Sequence, residues 1–129
     1  MLQSVNVPGA SFPGVSQGIL IQGGRLLVLS GHVPVDVAGD LVTGDFQTQL
    51  TAVFENIGRT LAAAGVGFEA VARFTIYVTD YEPAMLLVLR QVRSKFISAA
   101  VPPTSALVAV AALYDPRVRV EIDALAVVS

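Results

Sequence analysis

The sequence predicts an α+β fold: one mixed sheet with two helices packed on one of its faces. Three observations carry this expectation. Two stretches have apolar residues at helical spacing, and short runs rich in β-branched and apolar residues lie before, between and after them. The order along the 129 residues is two strands and a short third, a helix, a strand, a helix, and two strands. The composition is 53% hydrophobic and only 14% charged, against about 25% charged in an ordinary domain. Two helices on one side of a sheet leave its other face uncovered. A chain this apolar is expected to cover that face with copies of itself.

Residues 18–22 and 25–30 are apolar runs separated by Gly23-Gly24, a two-residue turn signal because both positions tolerate positive φ. They predict a hairpin. The second run is continuously apolar, which predicts a strand buried on both faces. Residues 33–37 and 39–42 suggest a short strand and a turn. The helix over 45–64 is the clearest element. Phe46, Leu50, Val53, Phe54, Ile57 and Leu61 share one face of a 3.6-residue period, while Gln47, Gln49, Glu55 and Arg59 fall largely off it. Asp45 suits the N-cap, and Gly65 suits the position just past the end. Residues 71–79 read as a strand. Residues 80–98 read as a second helix, with Pro83 in its first turn and Met85, Leu89, Val92 and Phe96 as its apolar stripe. After Pro102-Pro103, residues 104–113 form a strand, Asp115-Pro116 marks a turn, and residues 118–127 alternate as a final strand.

Several function classes are disfavoured. A bilayer span needs about 20 apolar residues. Residues 1–24 lack charge but carry glutamines, serines, prolines and glycines, and residues 96–114 are cut by Pro102 to Ser105. No basic segment precedes an apolar block at the N-terminus, as a secretory signal would require. The expectation is no membrane and a cytoplasmic location. A net charge of −2, with Lys95 the single lysine, leaves no basic footprint, so no nucleic acid partner is expected. With no cysteine, thiol catalysis and cysteine-based metal sites are excluded. One histidine, His32, does not build an all-protein metal site. No glycine-rich nucleotide loop follows a strand. No metal and no cofactor are expected.

Four segments, in order, resemble one family. Ser30-Gly31-His32-Val33-Pro34-Val35 resembles the SGQ-(I/V)-P motif of the RidA (YjgF-like) superfamily. Ala62-Ala63-Ala64-Gly65 followed by residues 71–80 resembles its AAG and VFVxD block, and residues 120–126 resemble its closing VEIEAIA strand. The similarity runs from about Gln17 to Val127. It implies a single RidA-like domain over residues 1–129 with a chorismate-mutase-like fold, one mixed six-stranded sheet, and a homotrimer with clefts between subunits. It also implies, in the archetype, cofactor-free hydrolysis of enamine or imine intermediates such as 2-aminoacrylate.

The departures bear on chemistry. The archetype's carboxylate-binding arginine lies in P-A-R-S, and here the segment is Pro102-Pro103-Thr104-Ser105. Thr104 offers one neutral hydrogen bond where a guanidinium would offer a charged fork. The archetype's cleft aromatic aligns with Val15, and its helix asparagine falls near Arg90. The acidic strand residue is retained as Glu121.

The candidate residues follow. Glu121 either positions a water for attack on an imine carbon or is a solvated strand residue. Thr104 and Ser105 form a polar lip of a cleft or a capped strand start. Ser30 and Gly31 bring bare backbone to a ligand or make a strand-to-turn junction. His32 invites a general-base role, yet without a visible orienting partner it reads as structural. Arg90 and Arg93 either restore the missing cation or belong to a solvated helix face beside Lys95, Arg90 being the better candidate. Val15 would wall the cleft. Three functions stay open: a diverged enamine/imine deaminase, a non-catalytic small-molecule-binding trimer, and a chorismate-mutase-type isomerase. An isomerase for a dicarboxylate would want converging cations, whereas Arg73, Arg90 and Arg119 lie on different elements. Imine hydrolysis is expected to be weak, and an arginine at 104 to improve it.

Overall fold

The computed structural model describes residues 1–9, 12, 14–98 and 100–129. Its strands are β1 (Leu2–Val5), β2 (Gly18–Ile21), β3 (Arg25–His32), β4 (Val71–Val78), β5 (Thr104–Ala109) and β6 (Val120–Val128). Its helices are α1 (Phe46–Ala63) and α2 (Met85–Arg93), with a short 3-10 turn at Phe68–Ala70. Four strands form a mixed sheet in the order β3-β6-β4-β5. β4 and β5 run parallel, so they need a long crossover, and α2 lies within it.

The single six-stranded sheet expected from the sequence is corrected to two sheets, because β1 and β2 pair only with each other. The predicted hairpin between residues 18–22 and 25–30 is likewise replaced. Gly23 and Gly24 do adopt positive φ, 89° and 86°. Yet β2 takes β1 as its partner, a strand the apolar patterning did not reveal, while β3 takes β6. The turn therefore redirects the chain between sheets.

α1 begins as its sequence dictates. Asp45 accepts a hydrogen bond from Thr48 N at 2.8 Å, and Gly65 at φ 79° follows the last turn. One of its glutamines departs from expectation. Gln49 is buried because its amide completes three backbone groups: Nε2 donates to Val42 O and Arg117 O, and Oε1 accepts from Arg119 N. α2 starts later than expected. Asp80 takes positive φ, 49°, which interrupts any helix beginning there, and beyond Arg93 the backbone closes into tighter i→i+3 bonds.

Both helices lie on one sheet face. Leu50, Phe54, Ile57 and Leu61 of α1 and Leu89 and Val92 of α2 pack on Leu29, Phe74, Ile76, Val78, Val120 and Ile122. Phe54 is the hub, edge-on to Phe74 at 5.6 Å and stacked on Phe96 at 5.2 Å. Among the described residues no helix packs on the opposite face. Leu26 and Val28 of β3 are 64% and 71% exposed there, so β3 is not buried on both faces within one chain. Among the described residues no helix is long and apolar enough to cross a membrane.

Candidate functional site

The sheet carries polar chemistry in two separate places. The first lies between α2 and the edge strand β5. In the β4–β5 register, Arg73 pairs Thr104 and Phe74 pairs Ser105. Phe74 faces the core, so Ser105 points toward the helices and Thr104 toward the uncovered face. Ser105 joins Val15, Leu86, Leu89, Arg90, Arg93 and neighbouring apolar groups around a cavity of about 220 Å³. Val15 is held there by Ser16, which is buried, donates its hydroxyl to Pro102 O, and donates its N–H to Pro103 O at 3.2 Å. Val15, Arg90 and Ser105 are thus brought together by the fold. Thr104 is not among them, and its hydroxyl donates to Ala72 O at 2.9 Å.

Arg90 is exposed, as on a solvated helix face, whereas Arg93 is buried and departs from that reading. The reason is visible in the spacing. Arg93 lies four residues beyond Leu89, so it falls on the apolar stripe, and Arg90 does not. Burial, and then the charge of Arg90, hold the Arg93 guanidinium below the usual arginine range.

The second place is on the uncovered face. Glu121 of β6 stands opposite Tyr77 of β4. Its carboxyl group lies over Gly31 of β3, where any Cβ would collide with it. Glycine at 31 is therefore required by the close approach of Glu121. Beside it, the Tyr77 hydroxyl donates to Asp123 Oδ2 at 3.2 Å. The charge of Asp123 pushes the Tyr77 pKa up, with some burial, so the phenol keeps its proton and remains a donor.

Ser30 is exposed at the end of β3, and its carbonyl accepts from His32 Nδ1 at 2.7 Å. Thr60 Oγ1 lies 2.7 Å from His32 Nε2. A carbonyl only accepts, so Nδ1 carries a proton, and Nε2 is paired with the Thr60 hydroxyl. These partners were invisible in the sequence. With both ring nitrogens engaged, His32 ties β3 to α1 instead of presenting a free base.

Glu121 and Thr104 share the uncovered face without meeting. Thr104 lies four residues from Val108, the β5 partner of Tyr77, and two strands from β6. Strand rise and spacing put their backbones about 16 Å apart. Within one chain, the cavity under α2 and the Glu121 patch are distinct half-sites.

A larger open depression of about 710 Å³ borders α1 and the preceding loop. Several of its polar groups are engaged locally: Asp36 accepts from Ala38 N and Asp40 N, Asp45 caps α1, and Arg59 donates to Val35 O. Gln47 and Glu55 also line it. Among the described residues no group of three histidine, cysteine, aspartate or glutamate side chains is placed to hold a metal ion.

Comparison with known proteins places this geometry. The family model described as Endoribonuclease L-PSP matches residues 13–128. Protein DfrA from Myxococcus xanthus is 38% identical over 128 residues, covering 98% of this chain and 93% of that protein. The 2-iminobutanoate/2-iminopropanoate deaminase of Homo sapiens is 30% identical over 131 residues, covering 98% of this chain and 88% of that protein. The crystal structure of YyfB from Yersinia pestis, a protein of unknown function of the conserved Rid family, superposes with a TM-score of 0.90 at 29% identity and 98% coverage of each chain.

Proposed function

The chain belongs to the endoribonuclease L-PSP (RidA/YjgF) family, and from this premise we propose that it is a cytoplasmic homotrimer. It takes a small metabolite into clefts between subunits and hydrolyses an enamine or imine there, without metal or cofactor. Deaminase-named relatives support the reaction class. The observation that carries it is the Glu121 carboxyl group lying on the bare backbone of Gly31. In this chemistry water attacks the C=N carbon while Glu121 accepts a proton from it and passes it to the nitrogen. The amino alcohol then collapses to the ketone and ammonia.

Trimerisation supplies what one chain lacks. The cavity under α2 and the Glu121 patch lie on opposite faces of the sheet, so they meet only if a neighbour brings its own copy of one beside the other. The exposed Leu26 and Val28 support assembly through the uncovered face. The net charge of −2 speaks against RNA as the substrate.

One observation favours a second function, a binding-only trimer. The Thr104 hydroxyl is bound to Ala72 O, so β5 offers neither charge nor a free donor at the archetype's arginine position. Release of ammonia from 2-iminopropanoate, generated in place, decides between the two. Hydrolysis that is slow in the wild type and lost in Glu121→Gln supports the hydrolase. Equal rates in both proteins leave the binding-only trimer. A sedimentation mass of 13.5 kDa at micromolar concentration would remove the trimer from either.

A further inference from the structure

β3 changes parity just before it ends. Leu29 pairs Ala124 and His32 pairs Ile122, so three steps on β3 answer two on β6. The extra residue makes a β-bulge, a device that re-aims side chains. Leu29 faces the core, so strict alternation would turn Gly31 toward the helices and His32 toward the uncovered face. The bulge reverses both. Gly31 lies beneath the Glu121 carboxyl group, and His32 reaches Thr60 of α1.

A bulge interrupts the ladder, so its backbone needs other support. That support comes from one polar face of α1. Asn56, Arg59 and Thr60 are three and four residues apart and so lie side by side on the helix. Asn56 Nδ2 donates to Val33 O at 3.1 Å, and Arg59 Nη2 donates to Val35 O at 3.0 Å. Thr60 Oγ1 pairs with His32 Nε2 at 2.7 Å. At its other nitrogen, Nδ1, the same ring donates to Ser30 O at 2.7 Å. The imidazole thus spans the gap, bonding the bulge on one side and the helix on the other. Its carbonyl partner belongs to the peptide that joins Ser30 to Gly31, next to the atoms on which Glu121 rests.

We infer that His32 is a positioning residue for the Glu121 chemistry: its bridge from Ser30 O to Thr60 holds the β3 bulge that seats Gly31 under the carboxyl group. The ring touches no reacting atom and transfers no proton. It acts through the backbone, by fixing how far Gly31 stands from Glu121. The effect on rate follows from orientation, since a shift of about 1 Å in a catalytic group can cost up to ~100-fold. This rests on the reading of Glu121 as the proton acceptor.

Side-chain length separates the two bonds. His32→Asn ends near the position of Nδ1, so it keeps a donor for Ser30 O and cannot reach Thr60. His32→Gln extends to the position of Nε2 and keeps the link to α1. Thr60→Val breaks the same link from the helix side. With 2-iminopropanoate generated in place, His32→Asn and Thr60→Val are each expected to lower kcat for ammonia release by about tenfold, with KM within about twofold. His32→Gln is expected to stay within about twofold of wild type in both. The double variant His32→Asn/Thr60→Val is expected to be no slower than either single one, because both remove one bond. Ile57→Val, a buried change on the same helix, is expected to lower the thermal midpoint and leave kcat unchanged. Full kcat in His32→Asn or Thr60→Val overturns the inference. So does an equal loss in Ile57→Val, or a double variant slower by about 100-fold, the product of two independent effects. If wild type releases no ammonia, the hydrolase reading falls and the ¹³C signal of the Glu121 carboxyl group decides. A signal that moves in His32→Asn and Thr60→Val but not in His32→Gln upholds the positioning role, and one that stays in place overturns it.

Discussion

The cavity beneath α2 and the patch around Glu121 differ in cover and in sign. The cavity is roofed by a helix and is lined by two arginines with, among the described residues, no anion. The patch has no roof, and Glu121 and Asp123 stand on it beside Tyr77. A charge under a helix is screened from water on one side, whereas carboxylates facing water need no partner. The difference teaches that the two half-sites are incomplete for different reasons. One holds cations that no carboxylate of the chain pairs with, and the other lacks a wall.

The wall is tested by the largest perturbation. Leu26 and Val28 are the most exposed aliphatic residues on β3, both on the uncovered face. The double variant Leu26→Glu/Val28→Glu puts two charges where an apolar partner surface is proposed. Sedimentation is expected to show complete loss of the trimer, with the mass falling to 13.5 kDa, while circular dichroism stays native. A trimer that survives would move the interface to another face.

Next in size is the chemistry of the patch. Glu121→Gln retains shape and removes the proton acceptor, so hydrolysis should drop by about 100-fold or more. Gly31→Ala is the gentler probe of the same contact. Its methyl group would displace the Glu121 carboxyl group, and an expected fall in ammonia release of roughly tenfold corresponds to about 1.4 kcal/mol of lost transition-state stabilisation. If Gly31→Ala keeps the full rate, the position of Glu121 over the β3 backbone is irrelevant to turnover.

The cavity is tested through strand parity. Thr104 and Ser105 are neighbours in sequence but point to opposite faces of the sheet. An arginine placed at 104 therefore starts on the uncovered face and does not enter the cavity under α2. Thr104→Arg is expected to speed ammonia release from 2-iminopropanoate, and Arg93→Met to leave it unchanged. Equal effects at both positions would mean that they serve one pocket, as the sequence alone suggested.

That parity explains what could and could not be read in advance. α1, its Asp45 cap and its Gly65 end were legible because local capping and a 3.6-residue stripe determine them. The partner of β2 was not. Pairing with β1 is a choice between distant segments, and Leu2–Val5 carries too few apolar residues to announce a strand. Glu121 was singled out by the resemblance of the closing strand, although its seat on Gly31 depends on the β3–β6 register. Arg93 sat on the apolar stripe in plain view, four residues after Leu89, but its charge drew it into the solvated class. A basic residue at a stripe position is the signal that would have singled it out. Gln49 was misassigned for the same reason, since polarity alone does not reveal that backbone groups of two loops await an amide.

The smallest effect comes from an arginine that does have its partner. Arg117 forks onto Asp115, with Nη2 2.8 Å from Oδ2 and Nε 3.0 Å from Oδ1, and its N–H also donates to Oδ1 at 2.8 Å. These bonds hold the Asp115 carboxyl down at about 2 and push Arg117 up. Burial and Arg90 push Arg93 the other way. For Asp115 the sign is set by a folded pKa below the unfolded one. Its stabilising contribution is whole above about pH 4, the usual aspartate range, and is lost as pH falls toward about 2. The pair is exposed to water, so the contribution is small. Asp115→Asn is expected to lower the thermal midpoint slightly at pH 7 and not at all at pH 2.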